Sequence, residues 1–175
     1  MANADGRLGG VGINEGPTIE RIVEAPEGDL DVVEDTALPE ILLDHVQEHG
    51  DDVALRWKRY GVWKEFTWQE YYDRVKQFAM GLETLGFGED DIVFTIGYNR
   101  PHQLWAWMGA QSLGGMAAPN YEDMLPEAIG NQLELLSPKV AYAEDQEMVD
   151  KILQVAHRAP SLETIIYRDE KGMFR

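Results

Sequence analysis

The sequence predicts an α/β protein: a helix and a β-hairpin, followed by a β-α-β-α-β-α-β parallel sheet. Three observations carry that expectation. From Asp91 onward, strand-like runs alternate with helix-like stretches, a spacing that right-handed crossovers fold into a parallel sheet. The runs "IVFTI", "MAAP" and "VAYA" are nearly unbroken apolar stretches, as expected of strands covered on both faces. Ahead of them, "DVALRWKRYGVWKEFTW" holds two short β-rich runs around an Arg-Tyr-Gly turn, which is a hairpin signal.

Taken in order, residues 1–35 are rich in glycine and acids and show no sustained periodicity. They read as a flexible acidic leader, and residues 36–175 as the folded part. "GRLGGVGINEG" within the leader has no preceding strand, no following helix and no Lys-Ser/Thr pair, so it fails as a phosphate loop. Thr36 to Gly50 is the first helix, with Pro39 in its opening turn and Gly50 stopping it. The hairpin strands span roughly 53–58 and 62–66. Thr67 and Glu70 form a capping-box pattern. The helix that follows carries Trp68, Tyr71, Tyr72, Val75, Phe78, Ala79, Leu82 and Leu85 along one apolar face and ends at Gly86. Strands at 91–97, 116–119, 139–143 and 163–167 then alternate with helices at 101–113, 125–136 and 146–156.

Composition narrows the function classes. The chain has 175 residues, 44% of them hydrophobic, enough for one packed domain. It has no cysteine, so neither a disulfide framework nor a thiolate metal site is available. No apolar run reaches the roughly 20 residues of a membrane span, and the amino terminus lacks a secretory pattern; a cytoplasmic protein is expected. Acids outnumber bases 32 to 15, a net charge of −17, and such a surface repels nucleic-acid phosphates.

Several residue patterns invite a chemical reading. "HVQEH" at 45–49 matches an inverted zinc-protease pattern. It ends directly at Gly50, however, and a histidine in a last helical turn is also placed there by the helix dipole, so no metal site is assigned. Trp105, Trp107 and Met108 are expected to fill the gap between helix and sheet. Asn99 is expected to cap the helix whose first turn holds Pro101, and Asp145 to cap the helix from Gln146. "NYEDM" at 120–124 follows the carboxyl end of a strand, where ligands gather in parallel sheets. His102 and His157 are isolated and expected on the surface. The residues alone assign no catalytic group.

The order and spacing of the segments resemble the amino-terminal part of AMP-forming acyl-CoA synthetases, nearest to the long-chain fatty-acid branch. Thr36–Leu42 is similar to that branch's "TLPELL" helix, Gly50–Arg56 to its "GDRVALR" strand, and Trp63–Val75 to its "WxEYTWxEYxxRV" passage. Gly97–Gly115 resembles "GDNRPEWLWAxLAAQALGG", Val140–Leu153 "VVFVEDQEQVDKLL", and Ala159–Gly172 "LPSLEHIVYFDPKG". The resemblance covers about residues 36–174.

This resemblance implies two-step chemistry: a fatty-acid carboxylate attacks the α-phosphate of ATP, and coenzyme A then displaces AMP from the acyl-adenylate. It implies ATP, Mg²⁺ and coenzyme A for the complete family enzyme. The family's phosphate loop and lysine do not occur in this sequence, so the expectation is an incomplete ligase that binds no cofactor and is inactive alone. The alternatives are a standalone binding or regulatory module, paired with a full-length homologue, or one half of a split synthetase. Membrane contact is expected only through the fatty-acid substrate. In relatives the loop aligned with Asn120–Met124 lies near the path of coenzyme A, which makes Tyr121 the expected contact. Glu122 and Asp123 stand where many relatives have Thr or Ser, and would repel the cofactor's phosphates. Gly130 and Asn131 replace a common apolar-aromatic pair, which suggests relaxed packing in that helix.

Overall fold

The computed structural model describes residues 36–173; the leader expected over 1–35 lies outside them. Helix α1 spans Leu38–His49, with proline in its first turn and Leu42 buried. Strands β1 (Val53–Arg59) and β2 (Val62–Thr67) form the expected antiparallel hairpin. Its two-residue turn holds both Tyr60 (φ 49°) and Gly61 (φ 81°) in the left-handed region, the geometry whose twist suits a tight hairpin.

Helix α2 (Trp68–Thr84) begins with the capping box read from the sequence. The Glu70 amide donates to Thr67 Oγ1 at 3.2 Å and the Thr67 amide to Glu70 Oε2 at 3.0 Å, so two otherwise orphaned donors are satisfied. Gly86, at φ 72°, closes the helix in a conformation that disfavours residues with a Cβ.

The sheet contains β3 (Ile92–Ile96), β4 (Met116–Asn120), β5 (Val140–Ala143) and β6 (Thr164–Tyr167), all parallel, in the order β4-β3-β5-β6. The connecting helices are α3 (Pro101–Gln111), α4 (Pro126–Leu136) and α5 (Gln146–Val155), the last followed by a single 3₁₀ turn at Ala156–Arg158. The expected fold class and element order are those observed. Boundaries move by a residue or two, as fraying ends allow.

Side chains alternate along each strand, so the sheet builds two cores. Val93, Val140 and Tyr142 pack with Leu82, Ala106 and Ala110 of α2 and α3. Phe94, Ile96, Ala141 and Ala143 pack with Ile129, Leu133, Met148 and Ile152 of α4 and α5. A third cluster of Leu42, Tyr71 and Val75 seats α1 against α2. The helix that follows β3 therefore lies on one face, and the helices that follow its neighbours β4 and β5 lie on the other. Chain segments leaving adjacent strands in opposite directions open a crevice at the carboxyl edge. Here β3 has such a crevice on each side.

The packing around Gly130 corrects one expectation. A Cβ there would stand 2.5 Å from Arg158 Nη1, and Arg158 Nη2 donates to Asn131 Oδ1 and to Glu134 Oε2, both at 2.7 Å. The Gly130–Asn131 pair is thus a fitted seat for an arginine from the 3₁₀ turn. The small residue makes room, and the amide supplies an acceptor.

Candidate functional site

The turn joining β3 to α3, Gly97-Tyr98-Asn99-Arg100, sits between the two crevices. Its shape is set from below by two side chains that are almost fully buried, Gln103 and Glu144. Gln103 Nε2 donates to the Tyr98 carbonyl at 3.1 Å. A Cβ on Gly97 would lie 2.8 Å from Gln103 Nε2 and 2.9 Å from Glu144 Cβ, so only glycine lets the backbone pass this closely. Glu144 Oε1 accepts from Arg100 Nη1 at 2.7 Å and from Arg168 Nε at 2.5 Å. One carboxylate oxygen thereby ties the β3–α3 turn, the end of β5 and the segment after β6 together. Alternate turn residues face opposite ways: Gly97 and Asn99 line the crevice toward β4, and Tyr98 and Arg100 line the crevice toward β5.

The crevice toward β4 is a cleft of about 500 Å³ walled by Gly97, Asn99, Gln103, Trp107, Pro119, Asn120, Tyr121 and Glu122. It brings together the two residues singled out in the sequence, Asn99 and Tyr121. Tyr121 is 78% exposed, so its ring stands at the mouth with its polar tip in water. Asn99 is not the helix cap expected of it. Pro101 occupies the first helical position, which makes Arg100 the capping residue, and its side chain makes no capping hydrogen bond. Trp107 has two duties: its indole packs on the sheet, and its Nε1 donates to the buried Thr95 Oγ1 at 2.7 Å. The amide of Asn120 is fixed by donation to the Ala118 carbonyl at 2.9 Å. The Glu122 carbonyl accepts from Lys151 Nζ at 2.9 Å, which anchors the 120–124 loop to α5. Among the lining residues Glu122 carries the only charge, so the cleft suits an uncharged chain with amide or hydroxyl groups better than a phosphate.

His45 and His49 each have local partners. His45 Nδ1 lies 3.0 Å from the Ile41 carbonyl, and its ring packs against Trp68 at 4.9 Å. His49 Nδ1 sits 3.3 Å from Asp52. No third ligand converges on them among the described residues. Asp145 caps α5 as expected, accepting from the Met148 amide at 3.4 Å.

His102 corrects the expectation of a surface residue. Its ring lies 4.4 Å from Trp105 and meets Trp57 edge-on at 5.4 Å, beneath the hairpin. Burial, with Arg168, Arg100, Arg59 and Arg74 nearby, pushes its pKa down to about 4. Nothing in the local sequence shows this, because the hairpin that covers it lies some forty residues earlier.

The chain belongs to the family of AMP-binding enzymes, whose profile matches residues 42–174. It is 32% identical over 126 residues to the long-chain-fatty-acid–CoA ligase ACSBG2 of Xenopus laevis, covering 71% of this chain and 17% of that protein. It is 26% identical over 148 residues to the long-chain-fatty-acid–CoA ligase heimdall of Drosophila melanogaster, covering 82% of this chain and 22% of that one. The chain thus spans about a fifth of the length of these relatives. Among solved structures, the acetoacetyl-CoA synthetase from Streptomyces lividans superposes with a TM-score of 0.71 at 20% identity, over 78% of this chain and 23% of that one. The anthranilate CoA ligase AuaEII in complex with anthranoyl-AMP superposes with a TM-score of 0.68 at 19% identity, over 74% of this chain and 24% of that one. At such identities the superpositions establish the fold.

The burial of His102 makes stability depend on pH. Between its unfolded value near 6.5 and its folded value of about 4, the unfolded chain binds a proton that the folded chain refuses, so this residue's contribution falls as pH drops. Denaturant titrations of wild type and His102→Gln should show a stability difference that shrinks steadily from pH 6.5 to 4. Parallel profiles would contradict this account.

Proposed function

We propose that these residues form the amino-terminal scaffold of a long-chain fatty-acid–CoA ligase, and that they guide coenzyme A without performing adenylation. The observation that carries this reading is the profile match over 42–174, together with the long-chain ligases among the relatives. In the complete enzyme a fatty acid, ATP and coenzyme A would be the substrates, with Mg²⁺ assisting at the phosphates.

The residues at hand fit these groups unequally. No cluster of three His, Asp or Glu side chains stands ready for a metal among the described residues, and the sequence lacks a Ser/Thr/Gly-rich loop with its lysine. We therefore assign neither Mg²⁺ nor the adenylate step to these residues. Coenzyme A fits in part. The cleft of Asn99, Asn120 and Tyr121 matches the uncharged, amide-bearing pantetheine arm, while Glu122 disfavours the phosphates beyond it. Among the described residues no helix is long and apolar enough to cross a membrane. A cytoplasmic enzyme that meets membranes through its substrate is the reading that accompanies this function.

Two outcomes test the proposal. The 175-residue chain, given ATP, Mg²⁺ and palmitate, should release no pyrophosphate; measurable release would end the scaffold reading. Pantetheine should shift the amide resonances of Asn99, Asn120 and Tyr121, and Glu122→Gln should tighten coenzyme A by about 2–5-fold while leaving pantetheine unchanged. Equal response of both ligands to the substitution would remove Tyr121's cleft from the coenzyme A path.

A further inference from the structure

The crevice on the other side of β3 shares no lining residue with the cleft of Tyr121. It encloses about 470 Å³ between the hairpin end and the carboxyl ends of β5 and β6, and Lys58, Arg59, Arg100 and Arg168 all line it. Four cations in one crevice are out of keeping with a chain that has 32 acids and 15 bases. We propose that this crevice binds a pyrophosphate-type anion, either inorganic or as part of a larger phosphorylated molecule.

The side chains are arranged as a donor set. Arg100 and Arg168 bind the same oxygen of Glu144, so their remaining N–H groups are held within reach of one small polyanion. Lys58 and Arg59 have no carboxylate partner among the described residues. Aromatic rings lie close to two guanidinium groups. The Arg59 Cζ lies 5.7 Å from the Trp57 ring and 5.3 Å from Tyr60; the Arg100 Cζ lies 4.8 Å from Tyr98 and 5.8 Å from Trp57. Cation–π contact of this kind restrains a guanidinium without consuming its N–H donors.

Two carboxylates also line the crevice, and with the buried Glu144 they offset three of its four positive charges, which leaves the excess on the side of Lys58 and Arg59. Asp145 caps α5, and Asp169 accepts from Arg168 Nη2 at 3.4 Å and from the Lys171 amide at 3.1 Å. The amino end of α3 begins at Arg100 without a side-chain cap, adding its partial positive charge at the crevice. A single carboxylate would satisfy one arginine fork; several converging cations call for a ligand with more oxygens and more charge. The location also agrees with the general rule for open parallel sheets, in which ligands enter where successive connections diverge.

The test is a titration of the isotopically labelled 175-residue chain with inorganic pyrophosphate, read on the arginine Nε–H resonances at low and at physiological salt. Saturable shifts at Arg59, Arg100 and Arg168 are expected, with Kd below about 1 mM at low salt and weaker binding at higher salt. Arg59→Gln should weaken binding at least about fivefold, and Lys58→Gln, on the exposed hairpin, about two- to threefold. Arg56→Gln should change nothing, since Arg56 pairs with Glu65 outside the crevice. Shifts that never saturate, or equal affinity for wild type and Arg59→Gln, would overturn the proposal. Binding of a hexaglutamate peptide tighter than pyrophosphate by about tenfold would overturn it in favour of an acidic protein segment.

Discussion

A carboxylate with no exposed surface, Glu144, holds the carboxyl edge of this sheet together. Removing a carboxylate from water is costly unless partners replace the lost solvation. Here Arg100 and Arg168 supply them at 2.7 and 2.5 Å, through the same oxygen. The second oxygen, Oε2, has no hydrogen-bond partner among the described residues and lies under Gly97, where a Cβ would come within 3.3 Å of it. The β3–α3 turn is therefore pinned from the outside by an arginine on Glu144 and pressed from the inside by the same side chain. Gly97 is the residue that permits both.

Two crevices of different character follow from that one constraint. The strand order β4-β3-β5-β6 sends the chain after β3 to one face and the chains after β4 and β5 to the other. A crevice opens on each side of the turn, and the period of two along the backbone distributes its residues between them. Asn99 goes to an uncharged cleft with Tyr121, and Arg100 to a cationic one with Arg59 and Arg168. The same turn thus lines an uncharged-walled cleft, Glu122 excepted, and a mainly cationic one, without a glycine-rich phosphate loop between strand and helix.

Local features were legible in the sequence, and long-range ones were not. The Thr67–Glu70 box, the Asp145 cap and the apolar strand runs are encoded within a few residues, so they could be read directly. Asn99 was misplaced by one position, although Pro101 carried the decisive signal: a proline in the first helical position makes its predecessor the cap. His102, Gly130 and Glu144 were opaque for a common reason. Their environments are made by Trp57, Arg158, Arg100 and Arg168, residues far away in sequence, and no local periodicity announces a partner that distant. Tyr121 is singled out by the family resemblance of the 120–124 loop rather than by any local pattern, and the structure places it among the residues lining the cleft toward β4.

The most direct test of the account replaces the buried carboxylate by its neutral isostere. In Glu144→Gln the two arginines lose their shared anion while the side-chain volume is kept. The account predicts that the amide resonances of Gly97 through Arg100 move together with the side-chain amides of Asn99 and Gln103, and that the β1–β2 hairpin turn at Tyr60–Gly61 is unaffected. Changes confined to Arg100 and Arg168, with Gly97 and Asn99 left as in the wild type, would show that Glu144 does not set the turn from which both clefts are built.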